Sequence, residues 1–95
     1  MNRDEILKLL RREKQRLFQI YPLHRLALFG SSARMEQTET SDVDIIADVD
    51  PSIGLRFVTL AEELEELLQC KVDLISLRAI KPAMWKAIEK ELVDA

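Results

Sequence analysis

The segment from Phe29 to Asp50, FGSSARMEQTETSDVDIIADVD, joins a glycine-serine pair to a stretch that begins with two aspartates. Residues 25–29 ahead of it form an apolar run of strand length that ends at Gly30. Residues 43–49 alternate in polarity, as a strand with one buried face would. We therefore predict two strands joined by a segment that carries polar side chains at both ends.

The patterns on either side of this segment complete an α/β (α+β) order. Residues 4–18 place apolar residues at helical spacing, and Asn2 followed by Glu5 resembles a capping box. Apolar spacings of three and four after Gly54 predict a second helix that ends near residue 69, and residues 71–77 alternate as a third strand. A last helix is expected to begin near Pro82. The predicted fold is a small mixed β-sheet flanked by helices.

Length and composition predict one small domain spanning residues 1–95. Apolar residues make up 47% of the chain and charged residues 33%, which is typical of a globular protein. The apolar runs are too short to span a bilayer, and the start has no pattern of an export signal. We therefore expect no membrane partner and a cytoplasmic location.

Charge and residue usage exclude several kinds of site. The net charge of −3 argues against a surface that neutralises many phosphates, so no direct nucleic-acid binding is expected. With one cysteine and one histidine, the chain offers neither an internal disulfide nor a Cys/His zinc site. Any metal ion must be held by oxygen ligands.

Asp42 and Asp44 are spaced i, i+2, so in a strand their carboxylates point to the same face. Two like charges this close repel each other, and a divalent cation between them removes that penalty. Mg²⁺ fits, because it binds through one or two carboxylates together with water and substrate phosphates. Asp73 on the third strand is a third acid, which could complete the metal site or accept the proton of an attacking hydroxyl.

Gly30 and Ser31 predict the complementary half of such a site. Glycine after a strand permits a tight turn, and a following helical turn would aim N–H groups at an anion. Within that turn Ser31 and Arg34 are three residues apart, where the hydroxyl and the guanidinium can both reach phosphate oxygens. A phosphate cradle and metal ligands are therefore expected at adjacent strand ends.

An aspartate pair alone is weak evidence, since acidic pairs at strand ends are common, and so is a glycine-serine turn. The full pattern is more specific: GS, ten residues, DxD, with Arg34 inside it and a later single aspartate. With these residues the chain resembles the minimal nucleotidyltransferases of the polymerase-beta-like superfamily. The resemblance runs from about Leu26 to the final helix. One departure is Met35, where many relatives have glycine after the arginine.

The resemblance implies a fold, a reaction and a partner. It implies a nucleotidyltransferase fold in which Gly30 and Ser31 bind the triphosphate of ATP, Asp42 and Asp44 hold Mg²⁺, and Asp73 is the third catalytic and metal-binding acid. Members of this class are often antitoxins paired with a HEPN-type RNase toxin. The implied activity is therefore transfer of AMP from ATP to a hydroxyl, with a tyrosine of the toxin as the expected acceptor.

Two other functions stay open at the level of sequence. The same fold could neutralise the toxin sterically, as a binding module that needs no catalysis. The chain could also be a subunit of a small-molecule nucleotidyltransferase, although such enzymes use a further domain to hold the acceptor. At 95 residues such a domain is not expected within this chain, which favours a macromolecular acceptor.

Overall fold

Helix α1 spans Arg3–Ile20 in the computed structural model, which describes residues 2–34 and 42–95. The predicted capping box is confirmed: the Asn2 side chain accepts a hydrogen bond from the Glu5 N–H (2.9 Å), and the Glu5 carboxylate accepts one from the Asn2 N–H (3.4 Å). The side chains that α1 buries share one face of the helix. They are Ile6, Leu7, Leu10 and Leu17.

The described strands are β1 (Leu23–Leu28), β2 (Val43–Val49), β3 (Val72–Ser76) and β4 (Val93–Asp94). They form a sheet in the order β3-β2-β1-β4. β2 runs parallel to β3, whereas β1 is antiparallel to both β2 and β4. The predicted mixed sheet is thus confirmed. Its topology places the start of β2 beside the end of β1 and the start of β3.

A single helical turn, α2 (Gly30–Ala33), follows β1, and helix α3 (Arg56–Leu68) connects the parallel β2 and β3. α1 contacts both β1 and α3, and α3 contacts β3, so the two long helices cover one face of the sheet. None of the helices in the described part of the chain combines the length and apolar character that crossing a membrane requires.

The C-terminal region differs most from the sequence expectation. Helix α4 (Pro82–Ile88) begins at Pro82 as predicted, but none of its side chains is buried. A 3₁₀ turn at Glu89–Glu91 then leads into β4, which pairs with Ala27 and Leu28 of β1. β4 was not predicted, because two residues are too few to show alternation and their pairing partner is distant in the sequence. β1 also lies nearer to Pro22 than expected, at residues 23–28 instead of 25–29.

Candidate functional site

The turn after β1 depends on a glycine. Phe29 is extended, with φ −144° and ψ 176°, and the chain then reverses at Gly30, whose φ is +62°. Residues with a Cβ rarely adopt this φ, since it brings the Cβ close to the backbone carbonyl. The Arg34 N–H donates to the Gly30 carbonyl over 3.2 Å and closes the turn. The glycine predicted to form a tight turn therefore does so.

Gly30 also leaves room for a carboxylate. A Cβ placed on Gly30 would lie 2.9 Å from Oδ2 of Asp44, closer than real Cβ atoms approach other atoms. The Asp44 side chain therefore lies directly against the glycine backbone. The two halves of the sequence motif are in contact at this point.

The backbone of Asp44 is held by the same turn. The Phe29 N–H donates to the Asp44 carbonyl over 3.1 Å, and the Asp44 N–H donates to Oγ of Ser32 over 3.0 Å. Ser32 lies in α2 and is fully buried. Both backbone polar groups of Asp44 are thereby bound to the segment that begins with Phe29.

The carboxylate of Asp44, at the start of β2, is influenced by two neighbouring acids. Asp44 and Asp73 are directly paired across the parallel strands β2 and β3, so their side chains point to the same face. Burial raises the pKa of the Asp44 carboxyl above its ordinary value, the charge of Asp73 and then that of Asp42 raise it further, and Arg34 opposes them. Asp42 and Asp73 are exposed to solvent. The site thus gathers negative charge around a half-buried carboxylate.

Arg34 is the positively charged side chain that was predicted from the sequence to contact phosphate oxygens. It is exposed at the end of α2, and its Nη1 lies 3.0 Å from Oε2 of Glu91. Ser31, the other predicted phosphate ligand, is half-buried in α2. Arg34 therefore lies near enough to lower the pKa of Asp44, while Glu91 engages its guanidinium.

The donor set fits magnesium better than a transition metal. In residues 2–34 and 42–95, no three His, Cys, Asp or Glu side chains are already arranged to hold a metal ion. The available donors at the site are carboxylate oxygens, which Mg²⁺ prefers, and their repulsion would be relieved by a cation. An ion that keeps several waters and uses substrate phosphates as further ligands does not need a complete protein cage.

Comparison with known proteins places the chain in a family. Residues 8–93 match the family model described as polymerase beta, nucleotidyltransferase. The chain belongs to the polymerase-beta nucleotidyltransferase family. The resemblance seen in the sequence is thereby confirmed.

Two curated relatives carry the name of a protein-modifying enzyme. A Methanocaldococcus jannaschii protein named as a candidate protein adenylyltransferase is 44% identical over 92 residues, which cover 95% of this chain and 94% of the relative. The Thermococcus cleftensis protein adenylyltransferase MntA is 37% identical over 92 residues, covering 95% of this chain and 92% of that protein. These relatives match this chain over nearly their whole length.

Solved structures give the same picture of the fold. A candidate minimal nucleotidyltransferase has a TM-score of 0.81 at 29% identity, covering 98% of this chain and 95% of that one. A toxin-antitoxin complex with AMP-PNP has a TM-score of 0.69 at 28% identity, and the match covers 99% of this chain and 72% of that one. A complex of a tri-AMPylated Shewanella oneidensis HEPN toxin with an MNT antitoxin has a TM-score of 0.59 at 26% identity. That match covers 98% of this chain and 67% of the other.

In this nucleotidyltransferase, the structure brings some of the predicted site residues into direct contact and adds others. Gly30 touches Asp44, and Asp44 pairs with Asp73. Sequence reasoning missed Ser32 and Glu91, because a second serine in GSS and an acid 57 residues from Arg34 carry no local signal. Met35, named above as a departure from the family pattern, lies outside the described residues.

Proposed function

We propose that this chain is a single minimal nucleotidyltransferase domain that transfers AMP from ATP to a hydroxyl of a protein partner. The observation that carries the proposal is the contact between the glycine-serine turn and Asp44, with Asp73 beside it. The proposal takes the turn as the triphosphate site and the neighbouring aspartates as the metal ligands. The names of the relatives, and the AMP-PNP and AMPylated toxin in the neighbouring structures, support the same reaction.

In this proposal the nucleotide binds over α2. The backbone at Gly30 and the Ser31 hydroxyl contact phosphate oxygens, and Arg34 exchanges its contact with Glu91 for one with the triphosphate. Asp42 and Asp44 hold Mg²⁺, with Asp73 as a further ligand. When bound, the metal neutralises charge that develops on the phosphate oxygens during transfer.

In the proposal, Asp73 also acts on the acceptor. It is exposed beside Asp44, so an incoming hydroxyl can approach it from solvent. The hydroxyl oxygen forms a bond to the α-phosphorus of ATP, the bond from that phosphorus to the bridging oxygen breaks, and pyrophosphate leaves. The hydroxyl proton passes to the Asp73 carboxylate. By family resemblance, a tyrosine hydroxyl is the acceptor.

The proposed partner is a HEPN-type toxin, for which the chain acts as antitoxin. A complex of this kind forms in the solved neighbour that contains a HEPN toxin and an MNT antitoxin. In this chain α4 buries none of its residues, and Met84 is 61% exposed. The turn directly after α4 carries Glu91, which contacts Arg34 at the site. In this proposal, α4 is a second contact surface for the protein that inserts a hydroxyl at Asp73. The expected cytoplasmic location stays a prediction.

The decisive experiment measures AMP transfer to the co-expressed HEPN-type partner by mass spectrometry, with ATP and Mg²⁺ present. Wild type should add one or more AMP groups, and the Asp42→Asn/Asp44→Asn double variant should add none. Asp48→Asn is the matched control, because Asp48 lies on the same strand but pairs with Arg78 at 3.4 Å. It should transfer AMP normally. A partner that wild type silences without modifying would instead establish steric neutralisation.

A further inference from the structure

Ser32 occupies an unusual position for a polar side chain. It is fully buried, with 0% of its surface exposed. Buried hydroxyl groups require hydrogen-bond partners, because leaving them unpaired is unfavourable. Oγ of Ser32 accepts a hydrogen bond from the Asp44 N–H at 3.0 Å.

This hydrogen bond replaces one that a regular sheet would supply. In an antiparallel pair, two facing residues exchange both of their N–H···O=C bonds. Phe29 and Asp44 form one of these two bonds, in which the Phe29 N–H donates to the Asp44 carbonyl. The chain then turns away at Gly30, and the Asp44 N–H bonds to the Ser32 hydroxyl. The Ser32 hydroxyl thereby takes the place of the missing carbonyl acceptor at Asp44, the residue whose carboxylate lies against the turn.

We propose that Ser32 is a positioning residue that couples the glycine-serine turn to the metal-binding carboxylate of Asp44. The inference rests on the proposed function, in which the turn binds the triphosphate and Asp44 binds Mg²⁺. A displacement of the turn by nucleotide is transmitted through Ser32 to the backbone of Asp44. Nucleotide and metal therefore bind with mutual dependence.

Removal of the hydroxyl should affect turnover more than nucleotide affinity. Ser32→Ala leaves the Asp44 N–H without its acceptor, so the carboxylate loses its fixed position relative to the turn. Since small misplacements of catalytic groups are costly, we expect kcat to fall by about 10- to 100-fold. The Mg²⁺ concentration for half-maximal activity should rise, while the KM for ATP changes by less than about threefold. Ser31→Ala, in contrast, should raise the KM for ATP.

The test combines these kinetics with a measurement that needs no activity. Amide hydrogen exchange followed by NMR reports on the Asp44 N–H directly, and calorimetry with AMP-PNP at low and high Mg²⁺ reports the coupling. In Ser32→Ala the Asp44 amide should exchange faster and the Mg²⁺ dependence of AMP-PNP binding should weaken. Ser32→Thr, which restores the hydroxyl, should recover both. Ser52→Ala, at an exposed serine, is the control and should match wild type.

The outcomes separate this inference from the proposed function. One outcome is that wild type fails to transfer AMP while Ser32→Ala still speeds exchange of the Asp44 amide and weakens the Mg²⁺ dependence of AMP-PNP binding. In that case the proposed reaction is wrong and the positioning role stands. If Ser32→Ala keeps the wild-type amide protection and Mg²⁺ dependence, the positioning role is overturned. Should Ser32→Ala fail to fold, Ser32→Cys fills the same space with a weak acceptor and carries the same comparison.

Discussion

Replacement of Gly30 by alanine perturbs the site through one contact of known geometry. The new Cβ would lie 2.9 Å from Oδ2 of Asp44, whereas ordinary contact begins at 3.4 Å, so the carboxylate must move by about 0.5 Å. Asp44 can make this movement by rotating its side chain, so the contact itself costs little stability. The same rotation takes the carboxylate away from the position at which it would bind metal.

The expected magnitudes follow from two separate effects. The φ of +62° at Gly30 is unfavourable for alanine and should lower the free energy of unfolding by about 1–2 kcal/mol. In a domain of this size each kcal/mol corresponds to about 4–8 °C in Tm. The displacement acts on turnover instead: a misplacement of 1 Å can reduce rates about 100-fold, so about 0.5 Å should reduce kcat by about 10-fold.

Gly54→Ala supplies a matched control. Gly54 also has a positive φ, +52°, but a Cβ there would meet only the Ser52 carbonyl at 4.0 Å. This variant should lose at least a comparable amount of stability and keep its kcat. Urea unfolding and AMP transfer, measured on both variants at a temperature where both are folded, give the comparison. Equal losses of kcat in the two variants, or wild-type kcat in Gly30→Ala, would refute the role assigned to the contact.

Three further predictions test the charges and the surface around the site. The pKa of Asp44 is raised in the folded state, so the protein loses stability as the pH rises through that pKa. With EDTA present to remove metal ions, Asp44→Asn should therefore resist urea better than wild type at pH 7. This gain in stability should disappear below pH 3.8, the ordinary pKa of an aspartate. Glu91→Gln removes a carboxylate 3.0 Å from Arg34 and should tighten ATP binding in calorimetry by up to about fivefold; unchanged affinity would count against Arg34 as a phosphate ligand. Met84→Asp should weaken the partner complex in pull-down titrations without changing Tm, whereas the similarly exposed Val58→Asp should leave the complex intact; equal effects would argue against α4 as the contact surface.

Local sequence patterns predicted several of the elements around the candidate site. β2 occupies residues 43–49 as its alternation indicated, and the Asn2 capping box begins α1. These features depend on residues two to four positions apart, and such spacings are visible in one sequence. The prediction that Asp73 belongs beside Asp44 needed more, because it required β3 to align in parallel with β2 in one particular register. The third strand suggested Asp73 as a further acid and the resemblance to a family gave it a role, and the pairing of Asp44 with Asp73 agrees with both.

The features that were missed depend on contacts between distant parts of the chain. β4 is two residues long and exists because it pairs with the end of β1, and Glu91 meets Arg34 across 57 positions. Ser32 lies 12 positions before Asp44 in the sequence, so the spacing of the serines does not predict its buried hydrogen bond. Such contacts follow from the topology of the sheet, which places the end of β1 beside the starts of β2 and β4.

The energetics of Asp44 favour a functional explanation over a structural one. A half-buried carboxylate beside two other acids is unfavourable for folding, as the raised pKa of Asp44 shows. The guanidinium of Arg34, whose charge opposes this repulsion, lies 3.0 Å from a carboxylate oxygen of Glu91. An apolar or amide side chain at position 44 would avoid this repulsion. The arrangement becomes favourable when a cation binds between the acids, which is the condition that the proposed reaction with magnesium and ATP provides.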